Sequence, residues 1–249
     1  MIETPGAGAP QSPWWYRNRS TVFGVLYGAG FWLPAAVDGA TGHAYLPTLV
    51  ALGAWLGGEA AINTLFLVAL ALLLLCFLIR AWGSSYLQAI VWSADAKAEK
   101  LFVEGPFRYT RNPLYFGNFF LALGFALIAP PLGSIVILIG NAILVNALIV
   151  HEETLLRARF GAAYERYCAS VPRFWPRMLP APAEGNLAPS LAQGVLTETF
   201  TLSLFLGACC FFAPMPYGLY GFIAFYVFGI VTQRFFARYA LKLPERKTT

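Results

Sequence analysis

The chain has 249 residues, 58% of them hydrophobic, 16% aromatic and only 12% charged, with a mean hydropathy of +0.62. A soluble domain carries roughly a quarter charged residues, and a water-soluble globule of this length has nowhere to hide so much apolar area. An ordinary soluble domain, a disordered chain and a disulfide scaffold are excluded, and the net charge of +5 is distributed in a way that speaks for topology and against nucleic acid.

All 17 basic residues fall in four segments, Arg17–Arg19, Arg80–Arg111, Arg157–Arg177 and Arg234–Lys247, while the connections between them carry Asp38 and Glu59. That is the positive-inside pattern of a multi-pass membrane protein, with the basic segments on the cytoplasmic side. Arginine outnumbers lysine and alanine is plentiful, which points to a GC-rich bacterial genome and an inner-membrane location. The N-terminal stretch lacks the basic region and cleavage site of a signal peptide, so the first span reads as a retained anchor.

About 20 apolar residues carry a helix across a bilayer core. In chain order, Thr21–Val37, Ile62–Ile79, Leu114–Ala129, Leu132–Val150, Leu196–Ala213 and Tyr217–Phe235 meet or approach that length. Ala44–Leu56 is shorter and contains Pro47. If Arg17–Arg19 and Arg80–Arg111 share a side, an even number of crossings separates them, which makes this stretch a re-entrant or interfacial piece. The alternative is a third crossing with the N-terminus outside. Pro130-Pro131 and Pro214-Met215-Pro216 mark two tight turns, because proline removes an amide donor and clashes with the preceding turn. The predicted fold is all-α: a polytopic membrane helical bundle of about six spans, with the short re-entrant or interfacial piece and an amphipathic surface helix. We divide it into N-terminal spans (1–79), a catalytic region (80–180), a proline-rich linker (181–195) and a C-terminal hairpin with a basic tail (196–249).

Two segments on the basic side are patterned beyond what a connector needs. The first, Arg80–Tyr115, ends in Glu104-Gly105-Pro106-Phe107-Arg108-Tyr109-Thr110-Arg111-Asn112-Pro113-Leu114-Tyr115. Gly-Pro and Asn-Pro each signal a turn, and the residue before each proline is pushed out of helical geometry, which frees backbone groups for a ligand. Composition alone favours a positive-inside anchor with interfacial tyrosines.

The second segment opens with His151-Glu152-Glu153 and continues through Leu155, Leu156, Phe160, Tyr164 and Tyr167 at the spacing of an amphipathic surface helix. Adjacent helical residues diverge by about 100°, so the two carboxylates cannot share one pocket. Glu153 has an i,i+4 partner in Arg157, whereas Glu152 faces Leu156 at that spacing and has no such pairing. A carboxylate just below a span is costly unless paired or functional. Asn141 and Asn146, earlier in the same span, read first as interhelical glue. No CxxC occurs, the histidines are His43 and His151, and neither a zinc site nor an HExxH motif can be assembled, so no metal is expected.

Taken together, the run from Gly105 to Asn118, a hairpin of about 35 residues, and the run from His151 to Arg177 resemble the isoprenylcysteine carboxyl methyltransferase and phospholipid methyltransferase superfamily of membrane enzymes. The shared pattern is a Gly-Pro-aromatic turn, Arg-His-Pro-x-Tyr, a helical hairpin, Glu-Glu, Phe-Gly-x-x-Tyr-x-x-Tyr and Val-Pro-Arg, and it covers roughly residues 80–180. The resemblance implies S-adenosylmethionine as methyl donor at the cytosolic membrane face, and a lipid or small hydrophobic acceptor reached from the bilayer. Carried over residue by residue, it marks Glu99, Lys100, Leu101, Phe102, Phe107, Asn112, Pro113, Leu114, Tyr115, Glu152 and Glu153 for the cofactor. Glu152, Asn112, Tyr115 and Arg111 are the catalytic candidates. This chain departs from the pattern at Asn112, where histidine is the rule; asparagine can hydrogen-bond but cannot shuttle a proton. A membrane reductase of the sterol-reductase type, using NADPH, shares part of the pattern and stands as the alternative, ahead of a non-catalytic membrane protein.

Overall fold

The computed structural model describes residues 12–41, 46–87, 101–182, 188–212 and 217–240. Among them every regular element is helical. In chain order these are α1 (Trp14–Arg17), α2 (Arg19–Thr41), α3 (Thr48–Leu56), α4 (Glu59–Leu87), a single 3-10 turn (Gly105–Arg108), α5 (Pro113–Ile128), α6 (Pro131–Phe160), α7 (Ala162–Ser170), α8 (Leu191–Thr197), α9 (Thr199–Cys209, continued by a 3-10 turn) and α10 (Tyr217–Ala240).

Three helices, α4, α6 and α10, are long and apolar enough to cross a membrane, and α8 with α9 makes a fourth if the two arms, bent by 64°, are taken as one span. The expected six are therefore seen only in part. α2 covers Thr21–Val37 with Pro34 inside it. α5 has 16 residues, about 24 Å of helix. The expected span Leu196–Ala213 is broken at Glu198, whose backbone leaves helical geometry at φ −98°. Large apolar side chains such as Leu67, Leu78, Ile139, Ile143, Phe228 and Val231 face outward, the reverse of a soluble protein and the arrangement that lipid rewards.

α3 is 9 residues long, about 14 Å, and does not span. It folds back on the first turns of α4, where Gly53 meets Ile62. Its start is tied to the far end of the bundle: the Thr48 amide donates to the Ala129 carbonyl at 2.8 Å. The predicted turn at Pro130-Pro131 forms, with Pro130 as N-cap and Pro131 as the first residue of α6, a position where a missing N–H costs nothing. The turn at Pro214–Pro216 and the basic tail beyond residue 240 lie outside the described residues.

α2 and α6 run antiparallel and cross closely at Gly133, where an added methyl would land on the carbonyl oxygen of Gly30. Small residues allow such backbone contact in a bundle that has no hydrophobic drive between helices. The Tyr27 hydroxyl donates to Asn141 Oδ1 across the same pair at 3.2 Å. The main core joins Leu70 and Leu73 of α4, Ala122 and Phe125 of α5, Ile137 of α6 and Leu204 of α9.

The amphipathic helix expected to begin at His151 is not a separate element up to Phe160. α6 continues without interruption for 30 residues, about 45 Å, because nothing at its membrane exit breaks helical hydrogen bonding. The break comes at Gly161, whose φ of +48° suits glycine and few other residues. α7 follows as a short surface helix with Tyr164 and Tyr167 turned inward.

Candidate active site

Five helix ends meet at the basic side of the bundle: the starts of α2 and α5, the ends of α4 and α6, and the short α1. The two patterned segments come together there. The chain from Leu101 to Asn112 lies against the stretch from Val171 to Ala181, laced by backbone hydrogen bonds from Arg111 to the Pro172 carbonyl (2.9 Å), Arg177 to Tyr109 (3.0 Å) and Ala181 to Arg108 (2.9 Å). The Arg108 Nε donates to the Ala181 carbonyl at 2.6 Å, and the Tyr167 hydroxyl to that of Phe107 at 2.7 Å. Thr110 Oγ1 donates to the Phe174 carbonyl at 2.9 Å.

Asn112 stands at the start of α5 with non-helical backbone (φ −126°, ψ 57°) and makes no capping bond with its side chain. Its amide nitrogen instead donates to the Arg173 carbonyl at 2.8 Å, so it pins the loop to the first turn of α5. Pro113 and Leu114 follow, and then Tyr115, which is buried.

Glu152 is the centre of the arrangement. The Tyr115 hydroxyl donates to its Oε1 at 2.7 Å, and the Tyr16 hydroxyl donates to the same oxygen at 3.2 Å. Among the described residues no donor reaches Oε2. Burial, and after it the carboxylate beside it, holds the Tyr16 phenol well above its ordinary value, so it stays protonated and acts as donor. The Arg19 guanidinium lies over the Tyr16 ring at 5.1 Å. His151 packs against the same ring, 4.4 Å between centroids, and against Trp15 at 5.7 Å. Its Nε2 is buried and has no hydrogen-bond partner among the described residues.

Glu153 turns the other way, as the divergence of neighbouring helical residues requires. It is 1% exposed and binds Arg111 (Nε and Nη2 to Oε1, each 3.0 Å) and Arg173 (Nη2 to Oε2, 2.8 Å). The Arg157 pair expected from i,i+4 spacing is present at 3.6 Å. Arg111 also donates to the Cys168 and Val171 carbonyls, both at 3.1 Å. Glu153 and Arg111 thus neutralise each other inside the clasp that joins α6, the α5 start and the Val-Pro-Arg segment.

A third polar cluster abuts the site from the α4 side. Arg80 meets Glu198 (Nε to Oε2, 2.7 Å) and donates to Asn118 Oδ1 at 2.8 Å, while Ser84 and Thr201 donate to Glu198 at 2.8 Å each. Glu198 is 2% exposed. It ties the C-terminal hairpin to α4 and, through Arg80 and Asn118, to α5 one turn below Tyr115.

Of the residues expected in the site, Glu99 and Lys100 lie outside the described residues. Leu101 packs on the Tyr164–Tyr167–Val171 cluster, and Phe107 is buried beside the 3-10 turn. The structure unites Tyr115 with Glu152, and Arg111 with Glu153, as two separate groups; Asn112 links the α5 start to the loop carrying Arg173. The sequence reading missed Tyr16, Arg173 and the Arg80–Glu198 pair. Trp14-Trp15-Tyr16 beside two arginines was a visible interfacial cluster, but nothing in it pointed to a partner 136 residues away. Glu198 did carry a signal, a lone carboxylate inside an apolar stretch. Among the described residues no group of three or more His, Cys, Asp or Glu is placed to hold a metal ion.

Residues 48–163 match the family model described as phospholipid methyltransferase. The match begins at α3 and ends just past Gly161, so it takes in Asn112, Tyr115, Glu152 and Glu153 and leaves out Tyr16, Arg173 and Glu198. The matched segment is similar to phospholipid methyltransferases and contains the motifs that resemble the membrane methyltransferase superfamily. No curated protein and no solved structure matched the chain.

Proposed function

We propose that the protein is an integral membrane methyltransferase that uses S-adenosylmethionine and methylates a lipid or small hydrophobic acceptor at the cytosolic face. The observation that carries this reading is the Glu152 carboxylate, partly buried at the membrane exit of α6 with two phenol donors on one oxygen and, among the described residues, none on the other, inside the segment that matches the family model.

The residues present suit such a donor. S-adenosylmethionine supplies an electrophilic methyl group on a cationic sulfur. A carboxylate and the faces of Tyr115 and Tyr16 favour a cation. Glu152, Tyr115, Asn112, Pro113 and Leu114 would hold it, with Leu101 and Phe102 on the approaching chain and Glu99 and Lys100 as further candidates. Displacement at a methyl carbon demands alignment more than covalent help, and restraint of the reacting groups accounts for several kcal/mol of rate. Tyr115 and Tyr16 fix the Glu152 carboxylate; Arg111, Glu153 and Arg173 fix the loop. Arg111 is in this reading a positioning residue, since its donors are taken up by Glu153 and two carbonyls. The acceptor, held in the bilayer, meets the polar donor at the boundary where both can reach.

The phospholipid methyltransferase match speaks for this reading over the NADPH-dependent reductase. Calorimetry on detergent-purified protein tests it, with S-adenosylmethionine as ligand and NADPH as control. Micromolar binding of S-adenosylmethionine alone is the expected result; binding of NADPH alone, or of neither, would overturn it.

A further inference from the structure

We propose that His151 is the group that takes the proton from the methyl acceptor, a role that rests on the methyltransferase reading and adds a second functional residue to the Glu152 site. His151 Nε2 is the one buried side-chain nitrogen or oxygen among the described residues that has no hydrogen-bond partner. A buried polar atom left this way costs free energy that no contact offsets, and it calls for an explanation in terms of a ligand or a reaction. The imidazole precedes Glu152 in α6, and both side chains touch Tyr16: the ring of His151 at 4.4 Å, the carboxylate of Glu152 through its hydrogen bond. They therefore border one site despite their divergence on the helix.

Apart from Glu152 Oε2, the polar groups there are committed elsewhere. Glu152 Oε1 accepts two phenol hydrogens, which fixes the carboxylate in place. Glu153 is bound by Arg111, Arg173 and Arg157. Asn112 spends its amide on the Arg173 carbonyl, and an amide does not take up a proton near neutral pH. The titratable and charged groups around His151 are Tyr16 from α1, Arg19 from α2, Tyr115 from α5 and Glu152 from its own helix. Of these, the phenols donate and the guanidinium has no lone pair to offer. Imidazole is the side chain whose basicity is matched to neutral pH.

The step balances as follows. His151 Nε2 takes a proton from the acceptor atom, whose freed lone pair forms the bond to the methyl carbon. The carbon–sulfur bond breaks with its electrons remaining on sulfur. The imidazolium then returns its proton to water. Such a base serves an acceptor that arrives with an exchangeable proton on its nucleophilic atom, and it is idle for a carboxylate acceptor.

The test uses full-length protein labelled with [15N]histidine. The chain has two histidines, so two sets of ring signals appear, and H43Q identifies that of His151. Micelles carrying a primary-amine phospholipid, a long-chain thiol or a long-chain carboxylic acid are added in the presence of S-adenosylhomocysteine. The expected result is a move of the His151 Nε2 resonance toward its protonated position with the amine or the thiol probe, and none with the acid. With the responsive probe and S-adenosylmethionine, H151Q should lower kcat roughly 10²-fold, leave the KM for S-adenosylmethionine unchanged and regain part of its rate with free imidazole. A resonance indifferent to all three probes, or a wild-type kcat in H151Q, would overturn the proposal. If H151Q fails to fold, the resonance of the wild-type protein decides. If the wild type binds no S-adenosylmethionine, the methyltransferase reading fails and this role with it; if it binds and transfers methyl while H151Q is as fast, this role alone fails.

Discussion

At the residue scale, the site separates two adjacent carboxylates by what surrounds them. Glu152 has two phenols on one oxygen and, among the described residues, no donor on the other; Glu153 has three guanidinium groups and is buried. The first arrangement leaves capacity for a ligand and the second spends it on structure. The two tyrosines on Glu152 should therefore differ in a measurable way. Tyr115→Phe removes the shorter, more buried bond and should lower kcat by about 10²-fold, whereas Tyr16→Phe, with its bond at 3.2 Å, should cost about tenfold, in line with hydrogen bonds to charged groups. Steady-state kinetics on both variants, with S-adenosylmethionine affinity measured in parallel, checks the order; no loss in either variant would mean that the phenols act only through packing. The sequence disclosed Glu152 by elimination, since its i+4 neighbour is Leu156 and offers no charge. It could not disclose Tyr16, because a single sequence contains no information on which distant phenol meets which carboxylate.

At the scale of elements, helix ends do the assembling. Pro113 and Pro131 open α5 and α6, Gly161 closes α6, and these boundaries could be read from the rules for proline and glycine. The continuation of α6 past the membrane could not, since His151–Phe160 has the pattern of a surface helix and only the absence of a breaker argues for one rod. The bend between α8 and α9 has a different origin. Glu198 interrupts an apolar stretch to reach Arg80, and the pair is buried with Ser84, Thr201 and Asn118 around it. Removing one partner of such a pair strands the other charge, so Glu198→Leu should destabilise the protein by about 3 kcal/mol. The double variant Arg80→Met/Glu198→Leu should recover a good part of that loss. Thermal unfolding in detergent measures both. A double variant no more stable than the single one would show that Arg80 does not depend on Glu198 for compensation.

At the scale of the whole molecule, the chain is an integral membrane protein of packed helices with the candidate site at one end. The residues proposed for that site lie on α1, the start of α5, the end of α6 and the loop after α7. The positive-inside pattern predicts that this end faces the cytoplasm. Cys168, on α7 and partly exposed, provides the test: a membrane-impermeant maleimide should label it in inverted membrane vesicles and spare it in right-side-out ones, with Cys168→Ser as control. The opposite result would reverse the topology. Composition and hydropathy by themselves determined the membrane class and the helical fold, because bilayer insertion depends on local runs of apolar residues and on where Lys and Arg fall; the motifs marked the two segments proposed for the chemistry. Tertiary structure alone decided which helices reach a spanning length, that Glu198 bends one of them, and that Tyr16 and Tyr115 converge on Glu152. Those outcomes depend on contacts between segments more than a hundred residues apart in the case of Tyr16 and Glu152, and such contacts are set by packing of the whole bundle, which no local pattern encodes.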